Sequence, residues 1–136
     1  AVRAKGIGNS ILVTDAVMPA GCEPGPYRLG EVDVELLPPG DRVVVRGTNR
    51  LAGSALSMDL GVSNLQRMVG ISLADAVIMS TVNPAKSMAM EGRQQGLAPG
   101  DRADLVVFRM DEETKDIEVL ETYVDGRLVY SRAGGE

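Results

Sequence analysis

Ile11–Gly21 reads ILVTDAVMPAG. Its first four residues are an apolar run closing on Thr14, the pattern of a short strand buried on both faces of a parallel sheet. Asp15 follows directly, and a small loop carrying Pro and Gly comes after it. Successive side chains of a strand alternate, so Ile11, Val13 and Asp15 share one face while Leu12 and Thr14 share the other. Such a strand needs parallel neighbours, and the rest of the chain reads as antiparallel hairpins and helices. The expectation is that it completes a sheet larger than these 136 residues contain.

Working outward, Ala1–Lys5 reads as the tail of a helix, with basic residues at its negative end and Gly6 as its stop. The chain is thus expected to open inside an element whose beginning lies upstream. Ala16–Pro26 is predicted to be Gly/Pro-rich loop. Val32–Leu37 and Arg42–Arg46 flank Pro38-Pro39-Gly40-Asp41 and read as a hairpin, one face of which is wet because Val32, Val34 and Leu36 alternate with Asp33 and Glu35. Ser54 is expected to cap a helix reaching Val69, with Met58, Val62, Leu65 and Val69 as its apolar stripe. Ser72 and Asp75 form a capping-box arrangement for a second helix, in which Leu73, Ala76, Val77 and Ser80 face one way. Asn83-Pro84 reads as the cap and first residue of a short third helix ending near Gly92. Pro99-Gly100 marks a turn, Ala103–Phe108 and Ile117–Val124 read as strands, and Asp125-Gly126 is a type I′ hairpin signal leading into Leu128–Tyr130. The terminal AGGE is expected to fray.

Composition narrows the function classes. Apolar residues make up 44% and can fill a core, but aromatics are only 3% and Trp is absent, so aliphatic packing must carry it. The formal charge of −5 is spread along the chain without a basic stripe, which argues against nucleic acid as a partner. No apolar stretch approaches the roughly 20 residues of a membrane helix, and the front has no charged n-region with an apolar h-region. One cysteine, Cys22, cannot form an internal disulfide and suits a reducing compartment, so the expected location is cytoplasmic.

Five motifs then occur in order: AKGIGNSILVTDAVMPAG, NRLAGSALSMDLGVSNL, TVNPAKSMAM, GLAPGDRADLVVF and YVDGRLVY. Together they resemble the C-terminal third of the N-acetylglucosamine-6-phosphate deacetylases, within the amidohydrolase superfamily. LAPGxxADLVVF is common to many amidohydrolases, whereas LVTDAxxxAG followed by LAGSxLxMD is narrower. The resemblance implies an α/β fold, a (β/α)8 barrel beside a small β-sandwich built from both chain ends. A whole barrel takes about 250 residues, so only a C-terminal fragment fits here. Residues 1–92 would be the last strand, hairpin insertion and closing helices of the barrel, and residues 93–136 the C-terminal strands of the sandwich. It also implies a divalent metal, zinc or iron, an amino sugar phosphate as substrate, and a homodimer.

For the chemistry, hydrolysis of an N-acetyl group means adding water to an amide carbonyl and expelling an amine that must be protonated to leave. A bound divalent metal activates the water, and a carboxylate beside it can take the proton and later return it to nitrogen. By resemblance Asp15 is that catalytic group, with a weak or water-mediated role toward the metal as a further expectation. The plain alternative for a strand-end Asp is a turn closed through its own backbone. Leu51, Ala52 and Gly53 carry over as backbone contacts to the sugar, because a Gly turn feeding a helix start would expose N–H groups. Cys22 reads as a bystander thiol, since no histidine exists in the chain to activate it. Asp101 and Asp104 read as turn-ordering residues, and the seven Met residues as core filler. With no histidine to hold a metal, these residues alone are expected to be inactive. Two other readings stay open: an amidohydrolase acting on a cyclic amide or another N-acyl amino compound, and a stand-alone interaction module.

Overall fold

In the computed structural model, residues 1–94 and 97–132 are described. They form two compact units, Val13–Gly61 and Ala1–Leu12 with Val62–Glu136.

The first unit is a four-stranded antiparallel sheet in the order β1-β2-β3-β4, made of Gly25–Leu29, Val32–Leu37, Arg42–Val45 and Leu51–Ser54. The predicted hairpin is its centre, with Leu36 opposite Val43 and Val34 opposite Val45. Val34, Leu36 and Val43 are fully enclosed, and Val17, Tyr27, Leu29, Ala52 and Ala55 pack around them. Full burial of one such aliphatic side chain is worth about 1.5–3 kcal/mol, so this cluster is what holds the sheet together. The alternation with Asp33 and Glu35 is as expected, except that Val32 at the strand's start is exposed. β1 begins in the last two residues of the stretch predicted as loop, Ala16–Pro26, and runs on to Leu29. Pro26 is tolerated in β1 because β1 is an edge strand, where Pro is found with its missing N–H turned away from a neighbour.

Ile11–Thr14 is not a strand. The Leu12 N–H donates to the Met79 carbonyl, 2.9 Å away, and Ala16 forms one parallel bridge with Ser54. A parallel ladder requires a parallel partner strand, and among the described residues only isolated bonds reach this segment. The alternation nevertheless survives in the exposure. Ile11, Val13 and Asp15 face solvent while Leu12 and Thr14 are half-buried.

α1, Val2–Lys5, ends at Gly6 as expected, and its φ of 78° with ψ of 162° is a conformation open mainly to glycine. α2 spans Met58–Val69 and does not begin at Ser54. Its buried residues are Gly61, Val62, Ser63 and Gln66, so the stripe is rotated away from Met58, which is 40% exposed. α3, Leu73–Ser80, opens on Ser72 as predicted, with the Asp75 N–H donating to its Oγ at 3.1 Å. It buries Ala76 and Met79. α4, Val82–Ser87, corrects the reading of Asn83. Thr81 is the cap, Asn83 lies inside the helix, and Pro84 stands in the first turn, where the N–H it lacks would have no intrahelical acceptor. Asn83 is buried, and its Nδ2 donates to the carbonyls of Ile7 and Ser10, both at 2.7 Å.

The second sheet, in the order β5-β6-β7, consists of Leu105–Met110, Ile117–Val124 and Arg127–Ser131. Asp125 and Gly126 both have positive φ, 54° and 73°, as the type I′ turn requires. No residue of this sheet is fully buried, and Val106, Leu128 and Val129 are more than half exposed. The last four residues, AGGE, lie outside the described ones. Among the described residues no helix is long and apolar enough to cross a membrane.

Candidate active site

Asp15 has φ 52°, in the left-handed region that Asp and Asn enter more readily than other side chains. Its backbone is fastened to the end of β4. The Ser54 N–H donates to the Asp15 carbonyl at 3.2 Å, and the Val17 N–H donates to the Ser54 carbonyl at 3.0 Å. Thr14 closes the local turn by accepting from the Ala16 N–H through Oγ1 at 3.2 Å. The turn-forming role foreseen for Asp15 therefore belongs to Thr14. Among the described residues no hydrogen bond or ion pair engages the Asp15 carboxylate, which faces solvent. Such left-handed backbone costs energy that the surroundings must supply.

Leu51, Ala52 and Gly53 do not form a turn into a helix. They are β4, and Ser54 is not a helix cap: its Oγ accepts from the Leu56 N–H at 2.9 Å in the connection to α2. Small residues of weak strand propensity hid this element, and it exists because β3 templates it. The pairing runs Val43 with Gly53 and Val44 with Leu51, so Ala52 has no opposite residue and is the extra residue of a bulge. Bulges recur beside active sites, where they re-aim a side chain or end a ladder. Gly53 is needed for close approach. A Cβ built on it would lie 2.8 Å from Val17 Cγ2 and closer still to Cγ1. Leu51 is 67% exposed, while Ala52 and Gly53 are half-buried. Asp15 and Leu51–Gly53, far apart in sequence, are thus brought onto one stitched edge of the first unit.

The other candidates are structural or idle. Cys22 is free and exposed. Tyr27 donates to the Glu23 carbonyl at 2.7 Å, and its phenol is pushed up from the ordinary value by desolvation and then by Cys22. Asp104 accepts from the Asp125 N–H at 2.8 Å and pairs with Arg93 and Arg102, tying the turn after Pro99 to the last hairpin. That backbone bond, followed by the two guanidinium charges, holds its carboxyl below the usual carboxylate range. A concavity of about 900 Å³ is lined by residues of the second unit, among them Ile7, Val77, Ile78, Asn83 and Lys86, and its lining does not include Asp15, Leu51, Ala52 or Gly53.

A divalent metal does not fit what is present. Among the described residues no three Cys, Asp or Glu side chains converge, and the sequence has no histidine. One carboxylate on a turn is not a coordination set.

The sheets, the stitched Asp15 and the ordered motifs define a class. The chain belongs to the amidohydrolase family, whose pattern it matches over residues 51–130. Within that family it is similar to particular deacetylases. It is 32% identical over 122 residues to the N-acetylglucosamine-6-phosphate deacetylase of Vibrio furnissii, covering 90% of this chain and 29% of that protein. To the N-acetylgalactosamine-6-phosphate deacetylase of Escherichia coli O157:H7 it is 31% identical over 118 residues, covering 87% and 29%. The solved structure of a Mycobacterium smegmatis N-acetyl-D-glucosamine-6-phosphate deacetylase, an Asp-to-Ala mutant in complex with N-acetyl-D-glucosamine-6-phosphate, matches with a TM-score of 0.81 at 30% identity, over 96% of this chain and 33% of that one. The chain therefore spans about a third or less of the length of these relatives.

Proposed function

We propose that this chain is the C-terminal part of a metal-dependent deacetylase that hydrolyses N-acetylglucosamine 6-phosphate to glucosamine 6-phosphate and acetate. The observation that carries the proposal is the Asp15 carboxylate: solvent-facing, without a partner among the described residues, on a left-handed backbone stitched to the bulged strand Leu51–Ser54. In this reaction Asp15 takes the proton of the water that adds to the amide carbonyl. It then delivers that proton to the nitrogen, which leaves as the amine of the sugar. Leu51, Ala52 and Gly53 hold the sugar through their backbones, and Ala52, without an opposite residue on β3, is the one whose groups the ladder leaves for a ligand.

No step is taken through a metal, because the described residues do not hold one. Zinc or iron belongs to the proposal only as part of the intact protein, bound by residues outside this chain, and the 136 residues alone are inactive. The proposal assigns residues 1–92 to a barrel's share and residues 93–136 to a small β-sandwich, although the compact units of this chain divide elsewhere. A homodimeric, cytoplasmic enzyme acting on a small molecule, with neither nucleic acid nor membrane as partner, completes the reading.

The test is acetate release by the intact protein from N-acetylglucosamine 6-phosphate, from its galactose epimer and from a cyclic amide. The likeness to an N-acetylgalactosamine-6-phosphate deacetylase is why the epimer is included. Release of acetate and free amine in equal amounts from the glucose form is expected. Hydrolysis of the cyclic amide with neither amino sugar consumed would overturn the proposal.

A further inference from the structure

Between Asp15 and the bulged strand lies one contact that the proposed chemistry does not use. Val17 is half-buried on the core cluster of Val34, Leu36 and Val43, and its methyl groups occupy the space that a side chain at 53 would need. On either side of this contact run the two bonds that fasten the Asp15 segment, Ser54 N–H to the Asp15 carbonyl and Val17 N–H to the Ser54 carbonyl. We propose that Val17 seated on Gly53 is a steric lock that positions Asp15, making Val17 a positioning residue for the reaction. The inference rests on Asp15 being the base.

The lock is stiff for a reason of geometry. A valine has three staggered positions for two methyl groups and one hydrogen. Both positions now holding methyls are too close for any carbon at 53, one at 2.8 Å and the other closer. Rotation about χ1 moves only one methyl into the third position, so every rotamer keeps a clash with a Cβ at 53. The strain of Gly53→Ala must therefore move backbone, and the backbone that is free to move is 15–17, held by two bonds, not β4, held by its ladder to β3. Val17→Ala removes both methyls and leaves a Cβ contact of 3.2 Å, which a few tenths of an ångström of adjustment absorbs.

The test is a two-residue cycle read in two ways. In the 136-residue chain, amide exchange is followed at Val17 and Ser54, with Val45, whose N–H donates to the Arg50 carbonyl, as control for the sheet. Gly53→Ala is expected to speed exchange at Val17 and Ser54 with Val45 unchanged, and adding Val17→Ala to restore much of the protection. Val17→Ala alone reaches the lock without crowding, and should speed the same two amides to a smaller degree. In the intact enzyme, Gly53→Ala lowers kcat about 100-fold, the scale of an ångström's misplacement, and the second substitution recovers most of it. Unaltered exchange in both single variants overturns the lock. A kcat loss that Val17→Ala does not rescue overturns the positioning role, since Gly53 would then act on substrate directly. An Asp15→Asn enzyme with undiminished kcat would instead remove the base assignment while leaving the exchange results standing.

Discussion

Replacing Asn83 with Ala should free the front of the chain. Two donations from one buried Nδ2, each at 2.7 Å, hold the carbonyls of Ile7 and Ser10, and Ser10 itself is buried. A bond whose acceptor regains water is worth a net of about 1 kcal/mol, and one whose carbonyl is left buried costs about 1–3 kcal/mol in its place. Ser10 meets that condition, whereas Ile7 is only half-buried and regains water. The loss is then about 2–4 kcal/mol, which multiplies local opening by about 30 to 700 at 1.4 kcal/mol per decade. The assay is exchange of the Leu12 amide, whose bond to the Met79 carbonyl depends on the same docking. Asn83→Asp should be worse than Ala at neutral pH, because a carboxylate cannot donate and sets a negative oxygen against two carbonyls. Leu12 exchange within threefold of the parent chain in both variants would refute the reasoning.

Ser72→Ala removes the acceptor for the Asp75 N–H and should destabilise α3 by about 1 kcal/mol, read from denaturant melts, while Ser72→Asp retains the cap. Asp104 has its carboxyl pKa depressed in the folded chain, first by the Asp125 N–H and then by Arg102 and Arg93. Its contribution is complete above the ordinary aspartate range and is lost as pH falls through the depressed folded value. Acid titration followed by the amide resonances of Asp125 and Gly126 should show the hairpin's turn loosening below the ordinary aspartate range, and Asp104→Asn should abolish that transition.

What the sequence disclosed was local in origin. The capping pair Ser72 and Asp75, the hairpin around Pro39-Gly40 and the positive-φ turn at Asp125-Gly126 each depend on a few neighbouring residues, and each appears as expected. Gly6 ends its helix for the same reason. The failures depend on partners distant in sequence. Ile11–Thr14 has strand composition without neighbours, whereas Leu51–Ser54 has little strand propensity but a neighbour in β3 that imposes one. Gly25-Pro26 reads as punctuation until the sheet order makes β1 an edge. Asn83 in an Asn-Pro pair resembles a cap, and only the docking of residues 7–10 turns it into a buried clasp. At the candidate site the identity of Asp15 came through resemblance. Its unengaged carboxylate, its left-handed backbone and its attachment to Ser54 are features of the fold that no local pattern encodes.

The central claim is that Asp15 moves the proton, and one substitution addresses it. In the intact protein Asp15→Asn preserves shape and the backbone bond from Ser54 but cannot accept a proton. A drop in kcat of about 10²–10⁴, with KM and metal content close to those of the parent, is predicted. Near-normal kcat at full metal content would contradict it.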